Sequence, residues 1–254
     1  MKRSHTTGLV LSGGGYRGIS HIGVLKAMEE LGIKPDYISG TSAGAIVGSL
    51  YAAGNSCDQI FDVFTKTELF SYHNYTLKKP GLIDGAKIER LLTSHLKEDS
   101  FEHLNIPMYV ATTDLIQGKT CFFNSGPIIK PIIASAAVPG VFTPIPLNNM
   151  LLCDGGVTNN FPIEPILTPC DTIIGVFLNS LLETSIEALS NTKAVIDRAY
   201  RISRVNASEA KFKACDVFIA PSELGKHDVF SKTHAEDIFQ MGYEEAKLKL
   251  GMLV

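Results

Sequence analysis

Three short stretches of this 254-residue chain put reactive residue types where a polypeptide must turn sharply. Residues 40–44, Gly-Thr-Ser-Ala-Gly, hold Ser42 between two glycines, after a β-prone run and before a helix-prone one. A G-x-S-x-G pattern at a strand-to-helix turn is a nucleophile elbow. Residues two before and two after the serine come close together there, so Gly40 and Gly44 avoid Cβ clashes and the hydroxyl projects beyond the sheet edge. The helix behind Ser42 favours negative charge developing beside it. The competing explanation is that Ser42 is only an N-cap, a position serine favours. A serine nucleophile also needs a base and an oxyanion site.

Residues 13–18, Gly-Gly-Gly-Tyr-Arg-Gly, fit G-x-G-x-x-G between a strand and a helix, which is also the dinucleotide-binding fingerprint. That rival needs an acidic residue ~20 positions on, at the carboxyl end of the second strand. Asp36 has the spacing, yet it begins the run Asp-Tyr-Ile-Ser instead of ending it. A P-loop is excluded, because no Gly-Lys-Ser/Thr follows the glycines. The other use is an oxyanion hole, with unshielded main-chain N–H groups at Gly13, Gly14, Gly15 and Gly18 on the same sheet edge as Ser42, and Arg17 adding charge. A plain tight turn is the third reading.

For the base, seven histidines are available: His5, His21, His73, His95, His103, His227 and His234. None sits in a recognisable strand-end turn, and His21 reads as a core residue of the first helix. The aspartates do better. Asp154-Gly155-Gly156 follows the apolar run Met-Leu-Leu-Cys, which puts a carboxylate at a strand's end. Asp84-Gly85-Ala86 has similar wording, but it directly precedes a helical run, so N-capping explains it. Asp154 is the preferred candidate, against the alternative of a turn aspartate bonding its local backbone.

These turns need elements to position them. Residues 6–12 and 36–39 read as short strands, each followed by a helix, over 19–32 and 42–54. A strand–turn–helix unit twice in fifty residues predicts a wound α/β sheet. Further on, a helix is expected at 85–96, strands at 107–115, 119–125, 150–156, 171–180 and 215–221, and a helical region over roughly 183–213. Residues 127–146 mix a short helix with proline-rich loop, and 235–251 reads as an amphipathic helix. No linker-like shift or repeat divides the chain, so a single domain over 1–254 is expected, a size well able to bury a substantial core.

Composition narrows the classes. A net charge of −3 gives no footprint for nucleic acid. Five scattered cysteines without a CxxC pair argue against a disulfide scaffold or a zinc site and for a reducing compartment. No run approaches the ~18 apolar residues of a membrane span, and the apolar stretch near the N-terminus is too short for a secretory signal. A cytoplasmic protein is the expectation. The aromatic stretch 68–85, with Lys78 and Lys79, reads as a packed loop or as a lid that touches a membrane surface. Arg198, Arg201 and Arg204, at three-residue spacing, read as a solvated or ion-paired helix face, or as a stripe for anionic head groups.

Taken in order, Gly13–Gly18, Gly40–Gly44, "SAAVPGVFTPI" (135–145) and Asp154-Gly155-Gly156 resemble the patatin-like phospholipase family, over about residues 7–165. The last ninety or so residues are only loosely comparable. The resemblance implies a three-layer α/β/α fold with a mostly parallel central sheet, and a Ser42–Asp154 dyad working without histidine or cofactor. It also implies an oxyanion held by the glycine loop, and a fatty-acyl ester substrate such as a phospholipid or lysophospholipid; a nucleotide-binding oxidoreductase and a catalytically silent lipid-binding protein on the same fold are the alternatives.

Overall fold

The computed structural model describes residues 5–67, 69 and 85–252. The chain runs β1 (Thr7–Leu11), α1 (Ile19–Glu30), β2 (Tyr37–Thr41), α2 (Ala43–Ala52), α3 (Cys57–Lys66), α4 (Ala86–His95), β3 (Met108–Asp114) and β4 (Lys119–Phe123). It continues with α5 (Ile129–Ser135), β5 (Ile145–Leu147), β6 (Met150–Asp154), β7 (Thr172–Val176), α6 (Thr192–Phe212), β8 (Val217–Ile219) and α7 (Ala235–Leu250). The expected strands and helices are present with shifted ends. Two differences stand out. The helix expected from 183 begins only at Thr192, where the Asn191 side chain accepts from the Ala194 N–H and caps it. Helix α3 was not read from the sequence, although Ser56 and Gln59 form a reciprocal capping box at its start.

The strands form one mixed sheet. Strands β2 and β7 flank β1 in parallel, β3 adds to β2 in parallel and β8 to β7, while β4, β5 and β6 supply the antiparallel pairings. Alternation along the central strands explains the layers. Leu9 and Leu11 of β1 enter a large core shared with α1–α5 and α7, whereas Val10 enters a smaller one. That second core is aromatic: Phe161, Phe177, Phe212 and Phe218 contact one another edge-on, tilted or stacked, and they fasten the end of α6 to the opposite face. The sheet is thus covered on both faces, as a mostly parallel sheet requires.

Candidate active site

Ladder register decides where the two candidate reactive groups meet. Strand β3 pairs with β4 along Val110–Asp114 on one flank, so β2 and β6 must share the other. On that flank Thr41, the last residue of β2, lies opposite Ala111, and Asp154, the last of β6, lies opposite Thr112. The two strands run toward each other and stop head to head. Ser42, one residue beyond Thr41, is therefore brought to the level of Asp154 by backbone pairing alone.

Ser42 has φ +54° and ψ −119°, a conformation side-chain-bearing residues rarely adopt, and its hydroxyl makes no capping bond to α2. The turn therefore presents the hydroxyl; it does not use it as a cap. Its tightness is set by Gly44, where a Cβ would fall 2.2 Å from the Leu11 carbonyl oxygen. The Ser42 N–H donates to Ser135 Oγ (2.8 Å), and that hydroxyl donates to the Ala111 carbonyl (2.6 Å). Ser135 therefore ties the strained turn to β3.

Asp154 is fully buried. Its Oδ1 accepts from the Gly156 N–H at 2.6 Å, and Oδ2 has no hydrogen-bond partner among the described residues. Burial pushes its pKa up, while the Arg204 guanidinium, the Ser42 hydroxyl and the Gly156 N–H draw it back. The Ser42 hydroxyl thus favours the ionised carboxyl although no hydrogen bond joins the two among the described residues, and reacting pairs of this kind tighten when substrate aligns them. Thr41 Oγ1 donates to the Asn159 carbonyl and Ser39 Oγ to the Pro162 carbonyl, which stitches the turn after Asp154 to β2.

The glycine loop divides. Gly14 and Gly15 line a cavity of about 520 Å³ that also exposes Ser42 and Asp154, and their N–H groups donate to no group among the described residues. Gly15 holds φ +58°, with the Val229 carbonyl pressed against its α-carbon, so no side chain fits there. The other expected positions, the Gly13 and Gly18 donors and the Arg17 charge, are corrected. The Gly13 N–H donates to the Asn160 carbonyl (3.3 Å), and that of Arg17 to Gly14 (3.2 Å). Gly18 packs on Ala43 in the 3-10 turn Gly15–Gly18. The Arg17 side chain also turns away: it is fully buried, and its guanidinium donates to the His227 carbonyl, from Nε at 2.9 Å. Desolvation, with Arg201 nearby, lowers its pKa to about 9.

Val138, Pro139 and Val141, from the stretch expected to shape a pocket, form one wall of the cavity. Ile196, Tyr200 and Arg204 of α6 form another. No described histidine lines it. His21 is fully buried, its Nε2 donating to the Ser12 carbonyl at 2.8 Å, and desolvation lowers its pKa to about 4. Asp84 and nearly all of the stretch proposed as a lid lie outside the described residues. Asp36 accepts from the Thr7 N–H at the start of β1, the opposite sheet edge from the glycine loop, so it is misplaced to hold a ribose. The arginines of α6 are not a solvated stripe. Arg198 donates to the Leu182 carbonyl, Arg201 pairs with Asp197 at 2.8 Å, and Arg204 reaches 4.0 Å from Asp154 Oδ1. Ser135 and Arg204 are the two site residues whose positions sequence reasoning did not assign.

Comparison with known proteins gives the chain its relatives. An uncharacterized NTE family protein of Mycobacterium bovis is 35% identical over 179 residues, 67% of this chain and 48% of its own length. The patatin-like phospholipase domain-containing protein 6 of Mus musculus is 30% identical over 197 residues, 74% of this chain and 14% of its own length. The chain therefore spans about half the length of these curated relatives, or less. The crystal structure of VipD from Legionella pneumophila shares the fold, with a TM-score of 0.64 at 16% identity, covering 98% of this chain and 67% of that one. The model of the patatin-like phospholipase family matches residues 9–167, the stretch that carries the serine turn, the glycine loop and Asp154. The chain belongs to the patatin-like phospholipase family, a family of lipid acyl hydrolases.

Proposed function

We propose that this chain is a serine hydrolase of fatty-acyl esters, acting on phospholipids, lysophospholipids or simpler lipids through a Ser42–Asp154 dyad. One observation carries the reading: two strands end head to head on β3 and deliver a hydroxyl and a carboxyl to the same cavity, beside two uncommitted N–H groups. Ser42 Oγ attacks the ester carbonyl while Asp154 takes its proton. The oxyanion rests on the N–H groups of Gly14 and Gly15, with the start of α2 adding its positive end. Collapse expels the alcohol, which recovers the proton from Asp154. Water then attacks the acyl-enzyme with Asp154 again as base, releasing the fatty acid and restoring Ser42. Val138, Val141, Ile196 and Phe230 give the acyl chain an apolar wall. The exposed Val195, Ile196, Tyr200 and Ile202 of α6 suit contact with a lipid surface at the mouth.

Fluorophosphonate labelling and fatty-acid release from a panel of phospholipid, lysophospholipid and short-chain esters test this. The wild-type chain is expected to label and turn over, and Ser42→Ala to do neither. Asp154→Asn should lose about a thousandfold in kcat/KM. Turnover that persists in Ser42→Ala, or a near-wild-type rate in Asp154→Asn, overturns the reading. Tight dinucleotide binding without labelling would restore the rival role of the glycine loop.

A further inference from the structure

The cavity contains more charge than a serine–aspartate pair needs, and the charge comes from outside the family-matched stretch. Arg204, on α6, lines the cavity with its side chain only 13% exposed. Its guanidinium carbon lies 5.7 Å from the Tyr200 ring centroid, one helical turn back, and its Nε is buried without a hydrogen-bond partner among the described residues. On the other side it meets the turn after β6, where a Cβ at Gly156 would come within 3.1 Å of Nε. The glycine there leaves room for the guanidinium.

Accounting for the surrounding charges shows which one Arg204 serves. Arg201 is paired with Asp197, which also lines the cavity. Arg17, at the base of the glycine loop, is supported by Asp197 and Asp228 and opposed by Arg201 and Arg204. The remaining groups that face Asp154 are neutral: the Ser42 hydroxyl, the Gly156 N–H, and the neighbouring Cys153 thiol, whose pKa burial pushes up to about 12. Arg17, Arg201 and Arg204 thus stand against Asp197, Asp228 and Asp154. Among the described residues, Arg204 is the one charged group whose field holds Asp154 ionised, while Arg201 is engaged by Asp197.

We propose that Arg204 is a positioning residue for the dyad: held 4.0 Å from Asp154 by Tyr200 and the Gly156 turn, it keeps the buried carboxylate ionised and able to accept the Ser42 proton. This deepens the hydrolase reading and rests on it. A carboxyl desolvated to this degree without a countercharge takes up a proton and ceases to be a base. The distance, too long for a hydrogen bond, leaves both Asp154 oxygens free of an arginine clamp, so the charge assists without occupying the lone pair that receives the proton.

The test is the pH dependence of fluorophosphonate labelling and of kcat/KM on a neutral short-chain ester, with KM compared on a phospholipid, for wild type, Arg204→Gln and Arg204→Lys. Thermal midpoints confirm that each variant is folded. Removing an opposite charge at this range moves a carboxyl pKa by about 1 to 3 units. In Arg204→Gln the acid limb should therefore move up by about one pH unit or more, with about tenfold lower activity per unit below it. The alkaline plateau should be kept. Arg204→Lys should retain a limb close to that of wild type. A uniform drop at every pH, with the limb unmoved, makes the residue structural and overturns the proposal. So does an unmoved limb with KM raised only for phosphate-bearing lipids, which makes Arg204 a head-group ligand. Ser42→Ala run alongside separates these results from failure of the hydrolase reading, because its persistent turnover would remove the dyad itself.

Discussion

Residues 9–167 and residues 168–252 build the same cavity by different means. The first region places its groups with backbone: strand ends on β3, a left-handed serine and a glycine whose neighbour is a carbonyl. The second places side chains from one helix, α6, together with Val229 and Phe230. Ladder geometry tolerates almost no change, because a one-residue slip would move Ser42 and Asp154 to different levels and opposite faces. A helix face can exchange residues and keep its axis. The reacting hydroxyl and carboxyl are thus placed by the ladder, and α6 adds the second cavity wall and the Arg204 charge. This division matches the extent of the family match, which ends at residue 167.

The largest effect expected to sharpen the contrast concerns His21. It is fully buried behind the glycine loop with Nδ1 unpartnered among the described residues, and its pKa is lowered to about 4. The unfolded chain binds this proton near pH 6.5 and the folded chain only near 4, so the unfolded state holds more protons between those values. Stability should be fully present above pH 6.5 and fall as pH drops through the window. The total loss is about 3 kcal/mol at about 1.4 kcal/mol per unit. Urea midpoints at pH 7.5 and 4.5 measure it. His21→Gln, which keeps a donor for the Ser12 carbonyl, should flatten most of the dependence. An unchanged slope in that variant would locate the acid sensitivity outside His21.

A smaller effect probes the serine turn itself. Left-handed backbone at a non-glycine residue costs about 1 kcal/mol or more. Ser42→Gly should therefore abolish turnover while raising unfolding stability by about 1 kcal/mol, whereas Ser42→Ala, which keeps a Cβ, should not. Equal stability in the two variants would mean that the turn stores no strain.

The same division explains what was legible in the sequence. Strands, helices and three turns could be read because hydrophobic period, glycines and a strand-end aspartate are local signals. The glycine loop was read too generously, since the pattern marks four glycines alike while the fold commits the Gly13 N–H to Asn160. Ser135 and Arg204 were not assigned because their partners, the Ser42 N–H and the Asp154 carboxyl, are 93 and 50 positions away. No spacing rule reaches that far. Three-residue spacing on α6 left a solvated or ion-paired face and a head-group stripe open, and the structure gives the ion-paired face, with Arg198, Arg201 and Arg204 turned to three different partners. The helix start at Asn191 and the box at Ser56 and Gln59 were written locally and could have been used.

The smallest effect lies on the adjustable wall. Val195 of α6 is 50% exposed, beside Ile196 and Tyr200 at the cavity mouth, but does not itself line the cavity. If that face meets a lipid surface, an aspartate there forfeits roughly 1 kcal/mol of apolar burial on contact, about a fivefold loss of activity on vesicles. Repulsion from anionic lipid adds to it. Hydrolysis of a dissolved short-chain ester should stay within about twofold of wild type, because an exposed substitution on α6 costs the fold about 0.5 kcal/mol or less. A matched fall on both substrates would show that α6 shapes the reacting centre and not the approach to it. The wall would then be as constrained as the ladder that carries Ser42 and Asp154.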